Sequence, residues 1–523
     1  MAYVDKPVAR SCLSPVDAAF LYLERKESPL HIASVSIFDG PIPFKKFVSS
    51  IRSKLHLVPR YRQIAVIPAW NVGLPTWEDD RHFDIRRHIF RETLEAPGGE
   101  KELEALAGRI LSTMLDRKKP LWDIHVVDGL KDGRGAIIWR MHHALADGIS
   151  GTEIQKVMLD ATPAIPVASR KPRYRPQRAT VQGRTEDSIF HGLRSSFEGL
   201  LALENGLLSF GQALLDDEKR DELTGLFKLL PELAASVERL PFNKPCGGAR
   251  KFCWTEFNFA DLQAVRDALG GKVNDVVLAV LTRALARYVK LHGESVVNRF
   301  VRIVCPVSLR QGEQGKSSGN QITFLPVALP MDVRNPARLL EKVTSRMETM
   351  KGSGAANLVG LLAAWIASAP APLQALLWRT LPDIIFPVPL LNMICTNVSG
   401  SPVPLYAAGR RMIASYPQVP IGYDLGVGVA VQSYDGKLFV GLLADAHAAP
   451  DVNQLRDFIV DAFQELCRSA SVKKARDFSR ASKKIAAQAM KMVNAAEALV
   501  PPPVKDAPQT ATTEPVAVHV HAA

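Results

Sequence analysis

The chain has no apolar run long enough to cross a bilayer: the longest spans residues 358–369 and is followed by Pro370 and Pro372, whereas a spanning helix needs about 20 apolar residues. The first residues, Met-Ala-Tyr-Val-Asp-Lys, hold no apolar stretch of the signal-peptide kind, so secretion is not expected. Cysteine is sparse. Cys12, Cys246, Cys253, Cys305, Cys395 and Cys467 form neither a C-x-x-C pair nor a compact framework, which excludes a disulfide-stapled scaffold and fits a reducing compartment. Zinc-finger spacing and an aromatic-rich RNA-binding sequence are also missing, so no nucleic-acid partner is expected. There is no H-E-x-x-H pair and no cysteine cluster, and no metal is expected on that basis.

What is present is an average soluble balance, 47% hydrophobic and 23% charged, which excludes wholesale disorder and a polytopic membrane protein. At 523 residues the chain calls for two core domains plus extra segments. Its net charge of +12 asks for an acidic partner or a solubilising surface. Much of the excess lies in two stretches, residues 170–184 and 473–491, which points to surface attraction rather than a reading groove.

Helical spacing of Val16, Phe20 and Leu23 after Ser14-Pro15 predicts a helix over residues 13–24. Residues 31–38 alternate as a strand, and residues 45–57 and 101–115 read as amphipathic helices. Residues 123–127 and 136–141 form a hairpin across the turn-rich 131–135 segment, and the second strand runs straight into His142 and His143. A helix follows with Ile149, Ile154, Val157 and Met158 on one face. After a basic, proline-containing connector and helical stretches over 189–240, helices are expected near 260–269 and 274–291. Strands are expected at 300–307, 323–329, 425–432 and 438–444. The interleaved pattern is that of an α/β protein. Residues beyond 501 read as a disordered tail, and the alanine-rich basic helix before it either rests on anionic lipid or is simply solvated.

The chemistry concentrates in His142-His143-Ala144-Leu145-Ala146-Asp147-Gly148. A hydroxyl is a poor nucleophile while protonated, and an imidazole with an ordinary pKa of about 6.5 can take its proton near neutrality. Asp147, four residues past His143 at the opening of a helix, can fold back to fix local geometry, and Gly148 leaves space beside it. Gly315-Lys316-Ser317-Ser318-Gly319 fits the G-x-S-x-G pattern of serine hydrolases, but a polar loop precedes it and a strand follows, the reverse of what that motif needs.

The H-H-x-x-x-D-G pattern resembles the CoA-dependent acyltransferases of the chloramphenicol acetyltransferase-like fold, among them peptide-synthetase condensation domains. Further segments resemble the bacterial wax ester synthase/acyl-CoA:diacylglycerol acyltransferase family: Leu13-Ser14-Pro15-Val16-Asp17, Pro120-Leu121-Trp122, Val273-Asn274-Asp275, Pro306-Val307-Ser308-Leu309-Arg310 with Gly319-Asn320, Asn397-Val398-Ser399-Gly400 with Pro402, and Gly422-Tyr423. The likeness covers residues 13–466.

The resemblance implies two chloramphenicol acetyltransferase-like domains, each a mixed sheet flanked by helices, with an active-site tunnel between them. The boundaries expected are 1–168 for the domain carrying the motif, 169–245 for a basic linker and connecting helices, 246–470 for the second domain, and 471–523 for the basic helix and tail. It further implies His143 as general base, His142 and Asp147 in support, Gly148 keeping the channel open, and Asn274 beside Asp275 donating a hydrogen bond to the oxyanion. Asn274-Asp275 equally suits the start of a helix, and both roles are compatible. Pro120, Leu121 and Trp122 are expected to line the acyl channel or to belong to the core. Gly319, Asn320 and Ser399 are expected in turns near the substrate.

The expected reaction moves a long-chain acyl group from acyl-CoA, a substrate and not a cofactor, to diacylglycerol or a fatty alcohol, giving triacylglycerol or wax ester. No cofactor is expected. Such acceptors dissolve in lipid, so residence at the inner membrane face or on lipid droplets is expected. Two other readings stand beside it: a condensation-type enzyme using carrier-protein thioesters, and a catalytically silent lipid-binding protein.

Overall fold

The computed structural model describes residues 11–71, 73–145, 151–164, 190, 193, 194, 197, 201, 204, 236–308, 322–352, 366, 369–385 and 390–470. Along the chain, β1 (Ser11–Cys12), α1 (Pro15–Leu23), β2 (His31–Phe38) and α2 (Phe44–Lys54) are followed by β3 (Gln63–Val66), β4 (Thr76–Asp79) and β5 (Ile89–Thr93). Next come α3 (Glu100–Leu111), β6 (Trp122–Asp128), β7 (Gly135–His142), α4 (Gly151–Met158) and β8 (Arg250–Asn258). The helices α5 (Phe259–Leu269) and α6 (Val273–Leu291) precede β9 (Phe300–Ser308), β10 (Ile322–Pro330), α7 (Pro336–Gly352) and α8 (Ala371–Ile385). The remainder is β11 (Met393–Ser399), β12 (Tyr406–Ala407), β13 (Arg410–Gln418), β14 (Val427–Tyr434), β15 (Lys437–Asp445) and α9 (Val452–Ser469).

Among the described residues, two six-stranded mixed sheets result, ordered β12-β13-β2-β7-β6-β5 and β10-β9-β11-β14-β15-β8, beside a small β1-β4-β3 sheet. In the first, only β5 and β6 run parallel, and in the second β11 runs parallel to both β9 and β14. The hairpins follow from their turns. Asp132 and Gly133 (φ 66° and 67°) bend β6 into β7, and Asp435 and Gly436 (φ 43° and 79°) bend β14 into β15. Positive φ at both central residues of a short turn matches the twist of the strands it joins.

The first sheet is not contiguous in sequence, because β13 arrives from beyond residue 400 to pair with β2. The same strand packs on the second sheet: Tyr416 stacks on Trp254 of β8 at 5.0 Å and meets Phe439 of β15 edge-on at 5.3 Å. A Cβ at residue 441 would stand 1.9 Å from the Pro417 carbonyl, so glycine is what lets the backbones approach. Each sheet has its own apolar core, one gathered around Trp122, Ile124, Phe38 and Phe47, the other around α6, α9 and the β14–β15 hairpin.

α3 ends at Leu111, four residues short of the expected 115. Ser112 Oγ and Thr113 Oγ1 donate back to the Gly108 and Ile110 carbonyls, and side chains that bond the backbone in this way compete with helix continuation. On α4 Ile154 and Met158 are buried as expected, while Val157 faces out. Strands β1, β3, β4, β5, β8, β11, β12 and β13 have no counterpart among the sequence expectations. Ile149, residues 170–184 and residues 473–523 lie outside the described residues.

Candidate active site

β7 delivers the histidine pair. Its last residue, His142, faces His31 across the ladder with β2, and the chain then bends into a 3-10 turn over His143–Leu145. Three backbone amides set that bend: His142 N–H donates to Leu121 O at 2.9 Å, His143 N–H to Leu30 O at 2.9 Å, and Ala144 N–H to Nδ1 of His142 at 3.1 Å. A nitrogen that accepts cannot carry the proton, so His142 holds its hydrogen on Nε2. That nitrogen points to Glu24, 3.5 Å from Oε2.

Both residues of the pair rest on α1. The Phe20 ring lies on the His143 ring, centroids 3.8 Å apart and planes within 16°. Glu24, just past the helix end, receives Arg117 Nη2–H at 2.9 Å and Leu30 N–H at 3.1 Å besides facing His142. Burial alone would raise the Glu24 pKa; His142 beside it, the Arg117 hydrogen bond and the Leu30 amide outweigh it and bring it down to about 2. His143 is pulled down to about 4, chiefly by burial, although the residue keeps some exposed surface. It is therefore neutral near pH 7 and able to accept a proton.

α1 is itself held at both ends. Ser14 caps its start, accepting the Asp17 N–H at 3.1 Å and donating to the Asp17 carboxylate at 2.6 Å. At the other end Arg117 donates to Leu21 O and Tyr423 Oη to Leu23 O, satisfying carbonyls that a helix leaves free. Tyr423 N–H also bonds Ser28 Oγ at 3.0 Å, and a Cβ on Gly422 would lie 2.5 Å from Ser28. The segments Ser14-Pro15-Val16-Asp17 and Gly422-Tyr423 thus converge on the helix under the histidines.

Behind the pair the same sheet face carries buried charge. Arg140 binds Asp123 through Nε and Nη2 at 2.7 and 2.8 Å and donates to the carbonyls of Ile110 and Thr113. Burial would raise Asp123, but His125 and Arg140 bring it to about 2. His31 is driven to about 3 by burial first and by the Arg140 charge second, so it too is neutral. A cleft of about 310 Å³ opens beside this network, lined by Pro120, Asp123, His125 and Lys119 among others.

The remaining expected residues are distributed elsewhere. Trp122 is 1% exposed, stacked between Tyr61 and His88 at 4.5 Å on either side, with Nε1–H on Tyr61 O. Leu121 is buried as well. Their surroundings are core, and the link of this segment to the histidines is the Leu121 carbonyl.

Asn274 sits half-buried in the first turn of α6, where Asp275 Oδ2 accepts the Lys272 N–H at 2.8 Å. Among the described residues no hydrogen bond joins Asn274 to the histidine pair. Ser399 ends β11, exposed, across from Ser433. Asp147, Gly148, Gly319 and Asn320 lie outside the described residues, as does the 315–319 segment. Phe20, Glu24 and Arg117 were not singled out from sequence. An acid closing a helix that is apolar past Asp17 was the one local signal of Glu24.

The arrangement presents a neutral, oriented imidazole at a strand end, which suits proton transfer to and from a bound reactant. Two family models match: the wax ester synthase/diacylglycerol acyltransferase catalytic domain over residues 13–277 and the WS/DGAT C-terminal domain over 318–467. The chain is 29% identical over 474 residues to the "Probable diacyglycerol O-acyltransferase tgs1" of Mycobacterium tuberculosis strain H37Rv, covering 90% of this chain and 97% of that protein. The fold is similar to that of a wax ester synthase/diacylglycerol acyltransferase from Marinobacter aquaeolei VT8, with a TM-score of 0.61, 23% identity, and coverage of 88% of this chain and 100% of that one. It is also similar to the first condensation domain of the CDA synthetase, with a TM-score of 0.53, 14% identity, and coverage of 89% and 98%.

Proposed function

This chain belongs to the wax ester synthase/diacylglycerol acyltransferase family, and on that premise we propose that it transfers a long-chain acyl group from acyl-CoA to diacylglycerol or a long-chain fatty alcohol. The observation that carries the mechanism is the neutral ring of His143, held by Phe20 at the end of β7.

In this reading His143 takes the proton of the acceptor hydroxyl as its oxygen attacks the thioester carbonyl. The tetrahedral intermediate collapses with cleavage of the carbon–sulfur bond, and the CoA thiolate recovers the proton from His143, leaving ester and free CoA. Burial that keeps the ring neutral also makes its imidazolium costly, so the negative oxyanion beside it is what offsets that cost. Asn274 is assigned to donate to that oxyanion. Asp147 supports the turn, Gly148 keeps the channel open, and no cofactor enters, because neither proton nor acyl transfer here needs one.

The acceptors are lipids, and we place the protein peripherally on a membrane or lipid droplet. No helix among the described residues is long and apolar enough to cross a membrane. Trp70 is 90% exposed, and Leu373 and Leu376 project from α8, which packs against the turn carrying Trp70. Exposed tryptophan and leucine suit a lipid interface. Flotation with vesicles of neutral and anionic phospholipid should retain the protein and lose a Trp70→Ser, Leu376→Asp variant; equal recovery of both would remove this surface from the proposal.

The deciding assay is release of free thiol from palmitoyl-CoA with dioleoylglycerol or hexadecanol. Activity only with a carrier-bound donor would favour condensation-type chemistry instead. Neutral-lipid synthesis undiminished by His143→Ala would leave a lipid-binding protein without this catalysis.

A further inference from the structure

We propose that α1 is the positioning element of the acyl transfer: Glu24 fixes His142, and Phe20 fixes the plane of His143. This rests on His143 being the base. Phe20 and Glu24 stand four residues apart, the spacing that stacks side chains on one helix face. Two adjacent histidines in a turn would otherwise rotate independently about their side-chain bonds.

The chain of contacts is continuous. Arg117 and the Leu30 amide immobilise the Glu24 carboxylate. The carboxylate faces Nε2 of His142 and keeps the proton there, which frees Nδ1 to hold the Ala144 amide. That amide belongs to the residue after His143, so the tautomer of the first histidine closes the turn that presents the second. Phe20 then covers one face of the His143 ring, leaving it a single orientation and excluding water from that side. Neither residue touches a reacting atom in this account. Both act through the histidines, and the fixed ends of α1 at Ser14, Arg117 and Tyr423 give the helix the rigidity the role requires.

Among the described residues, the charged and titratable groups around the pair are Glu24 at the end of α1, Arg117 after α3, His31 from β2, Asp123 from β6 and Arg140 from β7. A positioning role is separable from a structural one because it moves quantities that folding alone leaves in place. Misplacing a catalytic group by about 1 Å can cost roughly 100-fold in rate.

Three variants of the full-length protein test this: Glu24→Gln, Phe20→Leu and Phe20→Ala. Glu24→Gln should lower kcat about 10- to 100-fold with KM for palmitoyl-CoA unchanged, and nitrogen NMR of histidine-labelled protein should show His142 leaving the pure Nε2–H form. Phe20→Ala should move the acid limb of kcat/KM up by about one pH unit as water reaches the ring, while Phe20→Leu, still apolar, keeps the limb and loses only rate. Wild-type kcat in Glu24→Gln and Phe20→Ala overturns the proposal. So does a loss that tracks melting temperature with an unmoved acid limb and an unchanged His142 tautomer. The tautomer signal is read without turnover, so it decides the Glu24 role even if His143→Ala proves the ring unnecessary for transfer.

Discussion

The turn at His142-His143 and the turn at Asn274-Asp275 both begin a segment that follows extended or loop chain, yet they are held in opposite ways. The histidine turn draws its partners from α1, the Leu30 loop, Leu121 and Arg117, and the Arg117–Glu24 bond spans 93 residues of sequence. The asparagine turn is closed by its own neighbours, Asp275 accepting the amide of Lys272 three residues back. A local cap holds wherever the helix goes. A turn assembled from two distant stretches, 20–30 and 117–121, exists only when the sheet is complete, and such over-determination is what a proton-transferring ring needs, since its orientation must survive substrate binding.

The largest expected effect is at the centre of that assembled turn. His143→Ala should lower kcat by about 10²- to 10⁴-fold, the usual range for a lost general base, with the melting curve close to wild type. Thiol release from palmitoyl-CoA with dioleoylglycerol measures it. Retained activity would mean that the elaborate packing serves stability alone, and the contrast between the two turns would lose its catalytic meaning.

Asn274→Ala is expected next in size, about 10²- to 10³-fold in kcat with KM little changed, the loss typical of an oxyanion donor. A drop below threefold would leave the second turn as a helix start and nothing more. The pH profile sharpens the same contrast from the other side. With the His143 pKa near 4, kcat/KM should stay flat from pH 7 down to about pH 5 and fall only as the ring takes a proton and ceases to be a base. An acid limb centred near 6.5 would mean that the ring is open to water.

The difference also explains what was legible in sequence. β2 was expected at its observed bounds, and the β6–β7 and β14–β15 hairpins were plain because alternation and turn residues are local signals. The histidine motif was plain for the same reason, and so was the capping sequence of α6. Glu24 was not, because nothing within a helical window says that its carboxylate meets a strand end over a hundred residues later. β13 escaped for a related cause: its pairing with β2 and its packing on β15 are decided by the whole fold, and its own sequence, Arg-Arg-Met-Ile-Ala-Ser-Tyr-Pro-Gln, alternates poorly. Trp122 shows the converse, a segment whose sequence left channel and core both open. Its segment resembles the family's, but what the ring does is fill the space between Tyr61 and His88.

The smallest effect belongs to the cap itself and separates its two possible duties. Asp275→Ala removes the acceptor of the Lys272 amide and a negative charge from the first turn of α6, which together are worth about 1 kcal/mol. The carboxylate is buried and its Oδ1 has no hydrogen-bond partner among the described residues, so part of that loss is returned as relief from desolvation, and the net change should fall at the low end. Thermal melting should therefore show a shift of a few degrees at most. If Asp275 only caps, kcat follows this small change. If it also aims Asn274, kcat falls at least tenfold while the melting temperature barely moves, and the second turn would then join the first as a built part of the site.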